Sequence, residues 1–281
     1  MLMNKPKIYV VCGPTATGKS DHAVELAKKL GGEVISADSR QVYIGMNIGS
    51  GKITTEEMKG VPHHLLDIKD PNEDFSVEEF QRLAFEKIED ILSRGKTPII
   101  CGGTGFYIQS VTDNIIFQEI PKNENLRREL EEKSIEELKE ILEQIPKEEG
   151  AKVDTENKRR LIRAIEIGKL MGKIACIKKG EQKYDFEFIY LDFPDEVLKE
   201  RINLRLLKRF EIGMIDEVRN LHKQGVSWKK LEDFGLEYKY IAQFLQGKIT
   251  EEEMVETLKT KIWQYAKRQR TWFKRVLPKN Y

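Results

Sequence analysis

Eight consecutive residues, Gly13-Pro14-Thr15-Ala16-Thr17-Gly18-Lys19-Ser20, have the spacing G-x-x-x-x-G-K-[ST]. Glycines at the two ends let the backbone curl so that successive N–H groups point at one anion, and a following helix adds positive charge at its first turn. Lys19 supplies a full charge, and the Ser20 hydroxyl is suited to holding Mg²⁺. The loop predicts a bound polyphosphate without saying which one. Sixteen residues beyond its lysine begins Ile35-Ser-Ala-Asp38-Ser39-Arg40-Gln41-Val-Tyr43. Asp38 is expected at the carboxyl end of a strand beside the loop, where open α/β sheets place their ligands. Three uses of that carboxylate stay open: a ligand of Mg²⁺, an acceptor for the proton of an attacking amine, or a cap of a turn.

Two further groups carry charge. Lys158-Arg159-Arg160-Leu161-Ile162-Arg163 is the densest basic run, and helical spacing puts Arg159 and Arg163 on one face, with Leu161 and Ile165 turned inward on another. Near the C-terminus Lys267, Arg268, Arg270, Lys274 and Arg275 are interleaved with Trp272 and Phe273. There the aromatic side is expected to be core, with the charges available to RNA phosphate.

These residues need a scaffold. Lys7–Cys12 is a β-branched apolar run that stops at Gly13, and Asp21–Leu30 reads as a helix stopped by Gly31 and Gly32. A strand at Glu33–Ser36, a helix opened by Ser76-Val-Glu-Glu79 and ended by Gly95, and a strand at Thr97–Cys101 follow. Such alternation builds a parallel sheet with helices on both faces. Beyond Asp113 the chain becomes rich in Glu and Lys, with a capping box at Ser134–Glu137, and Asn114–Lys183 reads as a helical insertion without strands. The sheet is expected to resume at Phe186–Phe193, and a long last helix starts near Thr250–Glu253 with Val255, Leu258, Ile262, Tyr265, Gln269 and Phe273 on one side. The fold class is therefore α/β, a P-loop parallel-sheet core formed by 1–113 and 184–281, with a helical insertion domain at 114–183.

Composition narrows the function classes. A net charge of +1 over 281 residues excludes a uniformly basic nucleic-acid binder but not local basic faces. The three cysteines, Cys12, Cys101 and Cys176, form no CxxC pair, which argues against a zinc finger or a disulfide framework. No apolar run has the length to span a membrane, and Met1–Lys7 is too short and polar for a signal peptide, so a cytoplasmic protein is expected. The absence of a heptad seam makes a monomer the default.

The blocks GPTATGKS, ISADSRQVYIGMNIGSGK, VPHHLLDI (Val61–Ile68), IICGGTGFY (Ile99–Tyr107), RINLRLLKRFEIGMIDEV (Arg201–Val218) and YAKRQRTWFKR (Tyr265–Arg275) resemble, in order and over nearly the whole chain, the tRNA dimethylallyltransferases of bacterial type. The resemblance implies that Gly13 to Ser20 hold the diphosphate of dimethylallyl diphosphate, with Mg²⁺, rather than ATP. It implies that the acceptor is N6 of adenosine 37 in tRNA, and that the insertion clasps the anticodon stem-loop. Residue by residue, it makes Asp38 the group that receives the N6 proton. Arg205, eight residues before Gly213, becomes a grip on the diphosphate, with Arg201, Lys208 and Arg209 as neighbouring competitors, and Thr17 a further catalytic position. Contacts with tRNA are implied for Asp38, Ser39, Arg40, Gln41, Thr104, Arg127, Arg159, Arg160, Leu161, Ile162 and Arg163. Thr104, flanked by glycines, could equally be a helix cap.

The sequence departs from the family pattern at Arg40, where a smaller or apolar residue is usual, and at Asp154–Asn157 and Phe234–Lys239. Rival readings are an adenylate isopentenyltransferase acting on free AMP or ATP, a small-molecule kinase with ATP in the loop and Mg²⁺ on Asp38, and an RNA-binding protein without turnover.

Overall fold

The computed structural model describes residues 5–118 and 120–277. Strand β1 (Lys7–Cys12) leads into α1 (Lys19–Leu30), β2 (Gly32–Ser36), the single-turn α2 (Thr55–Met58) and the two-residue β3 (His63–His64). Then come α3 (Val77–Ser93), β4 (Thr97–Gly102) and α4 (Gly105–Thr112). The next segment holds β5 (Ile115–Ile116), α5 (Glu124–Glu131), α6 (Ile135–Glu143), α7 (Lys158–Met171) and β6 (Lys178–Lys179). The chain continues with β7 (Asp185–Tyr190), α8 (Asp195–Glu211), α9 (Met214–Lys223), α10 (Trp228–Phe234), α11 (Leu236–Leu245) and α12 (Glu251–Val276). Two compact units result, one from the segments up to Asp113 and from Gln182 onward, the other Asn114–Glu181.

In the first unit five parallel strands lie in the order β3-β2-β4-β1-β7. β2 and β4 are almost wholly buried, which is why they read as unbroken apolar runs rather than alternating ones. Alternation survives in which face each residue serves. Val11, Val34 and Ile99 pack with Ala23, Val24 and Ala27 of α1. Val10, Ile35 and Ile100 pack with Phe80, Ile88 and Ile108 of α3 and α4 and with Phe273 of α12. Each such buried aliphatic or aromatic side chain contributes about 1.5–3 kcal/mol. A third core joins α8 to α12 through Leu198, Ile202, Leu206, Met214, Tyr238, Leu258 and Ile262.

Because β4 sits between β1 and β2, the chain leaves β1 and β2 on opposite sides of β4. Their carboxyl ends, with that of β4, open the crevice where such sheets bind ligands. The expected strand Phe186–Phe193 ends at Tyr190. Asp192 turns its carboxylate onto the Phe193 N–H at 2.8 Å, and Pro194 starts α8. The box at Thr250 is complete, whereas that at Ser76 is half formed: Ser76 accepts from the Glu79 N–H at 3.1 Å, but the Glu79 carboxylate pairs with Lys69 at 2.9 Å.

The second unit has its own core of Leu130, Leu138, Leu142, Leu161, Ile162, Ile165 and Ile174. It contains an antiparallel pair, Ile115 opposite Lys179 and Ile116 opposite Lys178, where no strand was expected. Two residues per strand are too few for a hydrophobic period to show.

At the amino end of β2, Glu33 is 2% exposed and meets Arg94 at 2.8 Å, Lys96 at 2.8 Å and His64 at 2.7 Å. The Arg94 guanidinium, more than the other two, holds the carboxyl well below the usual carboxylate range, against the opposing effect of burial. A lowered folded-state pKa gives stability that is present above the unfolded value, near pH 4.3, and is lost as pH falls through the folded one. Glu33→Gln should cost about 2 kcal/mol at neutral pH, less than a fully buried pair because Arg94 and Lys96 can rehydrate. In thermal melts the gap between the variants should hold from pH 5 to pH 8 and narrow below about pH 4. A gap independent of pH down to pH 2 would remove the ionised pair as its cause.

Candidate active site

The loop expected to cradle phosphate joins β1 to α1. Gly13 has φ 147°, and a Cβ there would lie 2.1 Å from the Leu191 carbonyl oxygen, so only glycine lets β1 turn away from β7 at this point. Ala16 and Gly18 take left-handed φ values of 63° and 83°. The Thr17 hydroxyl donates to the Pro14 carbonyl at 2.9 Å, and Lys19 Nζ donates to the same oxygen at 2.6 Å. Burial pushes the Lys19 ammonium down to about 8; Asp38 supports the charge and Arg205 opposes it.

Thr17 is 5% exposed and spends its proton inside the loop. Its side chain braces the loop whose Thr15, Ala16, Gly18, Lys19 and Ser20 line the cleft. Thr15 N–H donates at 2.9 Å to Oε1 of Gln269 on α12, whose Nε2 donates at 2.9 Å to the Gly103 carbonyl. Gln269, 6% exposed, therefore ties the loop to the end of β4. Sequence reasoning gave it no role, although a polar residue on an otherwise apolar helix face was the available signal.

Asp38 follows β2. Its Oδ1 accepts from the Arg40 N–H at 2.8 Å and the Gln41 N–H at 3.4 Å, so the turn-capping use is realised. A carboxylate has a second oxygen, and Asp38 lines the cleft, so capping does not use it up. The Thr104 hydroxyl accepts from the Ser39 N–H at 3.3 Å. Thr104 stands at the N-cap of α4 but makes no side-chain cap bond. Gln41 accepts from the Ser36 hydroxyl at 3.0 Å and donates to the Gly51 carbonyl at 3.4 Å. Arg40 Nε donates to the Phe234 carbonyl at 2.8 Å, with the guanidinium 5.5 Å from the Phe234 ring centre. Two of the three departures from the family pattern, Arg40 and Phe234, thus touch each other.

The opposite wall is α8. Leu198, Ile202 and Leu206 face the core, which leaves Arg201, Arg205, Lys208 and Arg209 along the cleft. Arg201 Nε donates to the Ala16 carbonyl at 2.7 Å, and its guanidinium lies 4.8 Å from the Phe193 ring centre. Arg205 donates to the Gly51 carbonyl at 3.3 Å. Burial and then Arg209 push it down to about 10, which leaves it charged at neutral pH. Arg209 donates to Gly49 at 3.3 Å and to Glu237 at 3.1 Å. The cleft between these elements has a volume of about 680 Å³. Its lining combines the cations and loop amides with Phe234, Leu236, Tyr238, Ile262 and Tyr265. Such a mixed lining fits a ligand with an anionic head and a short apolar tail.

Among the described residues no cluster of three or more His, Cys, Asp or Glu side chains forms a metal cage. An Mg²⁺ ion carried by phosphates needs only one or two protein oxygens, and Ser20, lining the cleft at the start of α1, offers a hydroxyl.

The other expected contact residues belong to the second unit. Leu161 is fully buried and Ile162 is 6% exposed, both in that unit's core, as the helical period led one to expect for Leu161. Arg127 and Arg163 converge on Glu166, at 2.9 Å and 2.6 Å, and Arg163 also donates to the Ile120 carbonyl. Glu166 is 2% exposed, and its Oε1 accepts from the Asn123 N–H as well. Arg160 is largely exposed and pairs with Asp154 at 2.7 Å, and Arg159 is exposed on the same helix.

A family model described as IPP transferase matches residues 41–276. The chain belongs to the IPP transferase family. The matched span starts just past the phosphate loop and Asp38, but relatives of the family extend across both. A tRNA dimethylallyltransferase 2 of Treponema denticola is 47% identical over 98% of this chain and 94% of its own length. A tRNA dimethylallyltransferase of Anoxybacillus flavithermus is 45% identical over 97% and 88%. Among solved structures, a full-length tRNA isopentenylpyrophosphate transferase from Bacillus halodurans superposes with TM-score 0.72 at 41% identity, over 96% of this chain and 87% of that one. A eukaryotic dimethylallyltransferase acting on tRNA gives TM-score 0.78 at 28% identity, over 95% and 70%. For this member of the IPP transferase family, the parallel sheet and its crevice are the shared frame, and the residues named above are what it brings to that frame.

Proposed function

We propose that this protein transfers the dimethylallyl group of dimethylallyl diphosphate to N6 of adenosine 37 in tRNA, releasing diphosphate. The observation that carries this reading is the single cleft in which an amide-rich loop with Lys19, a row of arginines, an apolar wall and Asp38 come together. Membership of the IPP transferase family, with close relatives named for this activity, supports it.

The chain's own residues divide the work. The loop amides, Lys19 and Arg205 hold the diphosphate and neutralise charge as it develops on the leaving oxygen. The apolar wall takes the five-carbon tail and keeps water from the allylic carbon, which would otherwise be hydrolysed. Ser20 would hold Mg²⁺, which supplies further charge neutralisation on the diphosphate. The bond from the allylic carbon to the diphosphate oxygen breaks as N6 supplies the electron pair for the new bond. The nitrogen then carries an extra proton, which passes to Asp38. An exocyclic adenine amine becomes acidic only as it is alkylated, so the carboxylate helps most late in bond formation.

An adenine must leave its stack to reach such a cleft, at a cost of a few kcal/mol recovered in other contacts. Ser39, Arg40, Gln41 and Thr104 are placed to meet the extruded base and its neighbours. Arg127, Arg159, Arg160 and Arg163 are the proposed phosphate contacts of the insertion with the anticodon stem-loop. A cytoplasmic monomer fits the reading, and no helix among the described residues is long and apolar enough to cross a membrane.

Incubation with labelled dimethylallyl diphosphate and either unmodified tRNA or AMP tests the acceptor. Label in tRNA alone supports the reading. Label in AMP would make this an adenylate isopentenyltransferase, and ATP turnover without prenyl transfer would make it a kinase. If arginines of the insertion meet RNA phosphate, tRNA affinity should fall by about three orders of magnitude between 50 mM and 200 mM salt for six contacts. A salt-independent affinity would argue against those contacts.

A further inference from the structure

The segment Asn47–Gly51 carries no charged side chain, yet Gly49, Ser50 and Gly51 line the cleft and the Gly49 and Gly51 carbonyls meet its arginines. The Gly51 carbonyl accepts from Arg205 at 3.3 Å and from Gln41 at 3.4 Å, and the Gly49 carbonyl accepts from Arg209 at 3.3 Å. Each guanidinium has five N–H donors, so the carbonyl bond of each, with the further bond of Arg209 to Glu237 at 3.1 Å, fixes its aim and leaves other N–H groups for an anion.

The segment itself is fixed from behind. Glu217, on α9, accepts at Oε2 from the N–H groups of Asn47 at 2.9 Å and Ile48 at 2.6 Å. Its Oε1 accepts from the Gly49 N–H at 3.0 Å and from the Tyr238 hydroxyl at 2.8 Å. That hydroxyl, on the 2%-exposed Tyr238 of α11, accepts in turn from the Ser50 N–H at 3.1 Å. Four consecutive amides therefore end on one carboxylate and one phenol, charge-assisted bonds of the stronger kind. A Cβ on Gly49 would come within 2.7 Å of the Tyr238 ring, so the segment can lie this close only as glycine.

We propose that Glu217 and Tyr238 are positioning residues for the diphosphate, acting through the Asn47–Gly51 backbone to aim Arg205 and Arg209 into the cleft. This rests on the reading that the cleft holds a diphosphate. Neither residue donates to the diphosphate itself. Glu217→Gln puts an amide NH₂ where two N–H groups or an N–H and a hydroxyl expect an acceptor, which loosens the segment without emptying the space.

Inorganic pyrophosphate, titrated calorimetrically into the full chain, reads the effect without depending on any acceptor. Relative to the unmodified protein, Glu217→Gln should weaken binding about tenfold and Tyr238→Phe about threefold, and in an Arg205→Ala background Glu217→Gln should add less than about twofold. The affinity for unmodified tRNA should stay unchanged in Glu217→Gln. A purely structural role would instead multiply with Arg205→Ala and lower both affinities, and that result would overturn the inference alone. An unmodified protein that binds no pyrophosphate would overturn the inference and the donor reading together. Should Glu217→Gln fold poorly, the cycle of Tyr238→Phe with Arg205→Ala gives the same comparison.

Discussion

Replacing Asp38 with alanine should lower kcat by about two to four orders of magnitude while leaving tRNA affinity nearly unchanged. The split follows from where the carboxylate acts. Adenine N6 has almost no basicity before alkylation, so a bond to Asp38 gains strength mainly as the carbon–nitrogen bond forms, and ground-state binding loses little when it goes. The turn that Asp38 caps, through the Arg40 and Gln41 amides, complicates the alanine variant. Asp38→Asn keeps the capping oxygen and removes the base. Both variants should therefore lose kcat to a similar extent if proton acceptance dominates. Pre-steady-state turnover with saturating tRNA and donor measures it. An Asp38→Asn enzyme with normal kcat would reduce Asp38 to a turn cap.

The second large effect belongs to Lys19. Its ammonium is the one full charge inside the amide loop, and Lys19→Ala should reduce kcat/KM for the allylic donor by about three orders of magnitude. A pH signature should accompany it. Burial leaves the Lys19 amine near 8, and only the protonated form attracts a diphosphate. Donor affinity should hold below about pH 7 and weaken as pH rises through 8, because binding must then take up a proton. In Lys19→Ala that component of the pH dependence should vanish. Donor titrations from pH 6.5 to pH 9.5 decide the matter, and identical pH profiles for the two proteins would place the affinity elsewhere.

The parts of this site that could be read from the sequence are those whose spacing is local. Gly13 to Ser20 and Asp38 lie in contiguous stretches flanking strands, and each was found where its spacing put it. The cations of α8 were named through the resemblance, but not which member touches what: Arg201 grips the loop at Ala16, whereas Arg205 and Arg209 reach Gly51 and Gly49. Glu217, Tyr238 and Gln269 escaped notice because their main-chain partners lie 166 or more residues away. Backbone amides carry no residue identity, so nothing in the sequence marks them as partners. Glu166 escaped for another reason: a carboxylate on the inner side of α7 is informative only once Arg127 and Arg163 are seen to converge on it. At Leu161 the helical period turned the side chain inward, and the structure buries it in the core of the second unit.

The proposed chemistry has the loop amides and Lys19 grip an allylic diphosphate and Asp38 receive a proton from an adenine amine of RNA. A crystal structure of the protein with a non-hydrolysable allylic diphosphate and an anticodon stem-loop is the decisive experiment. Diphosphate oxygens should lie on N–H groups of the Ala16–Ser20 stretch, the five-carbon tail against Phe234 and Tyr265, and adenine N6 within hydrogen-bonding distance of Asp38. A nucleoside triphosphate preferred in that loop, with a hydroxylated small molecule beside Asp38 and the RNA elsewhere, would contradict it.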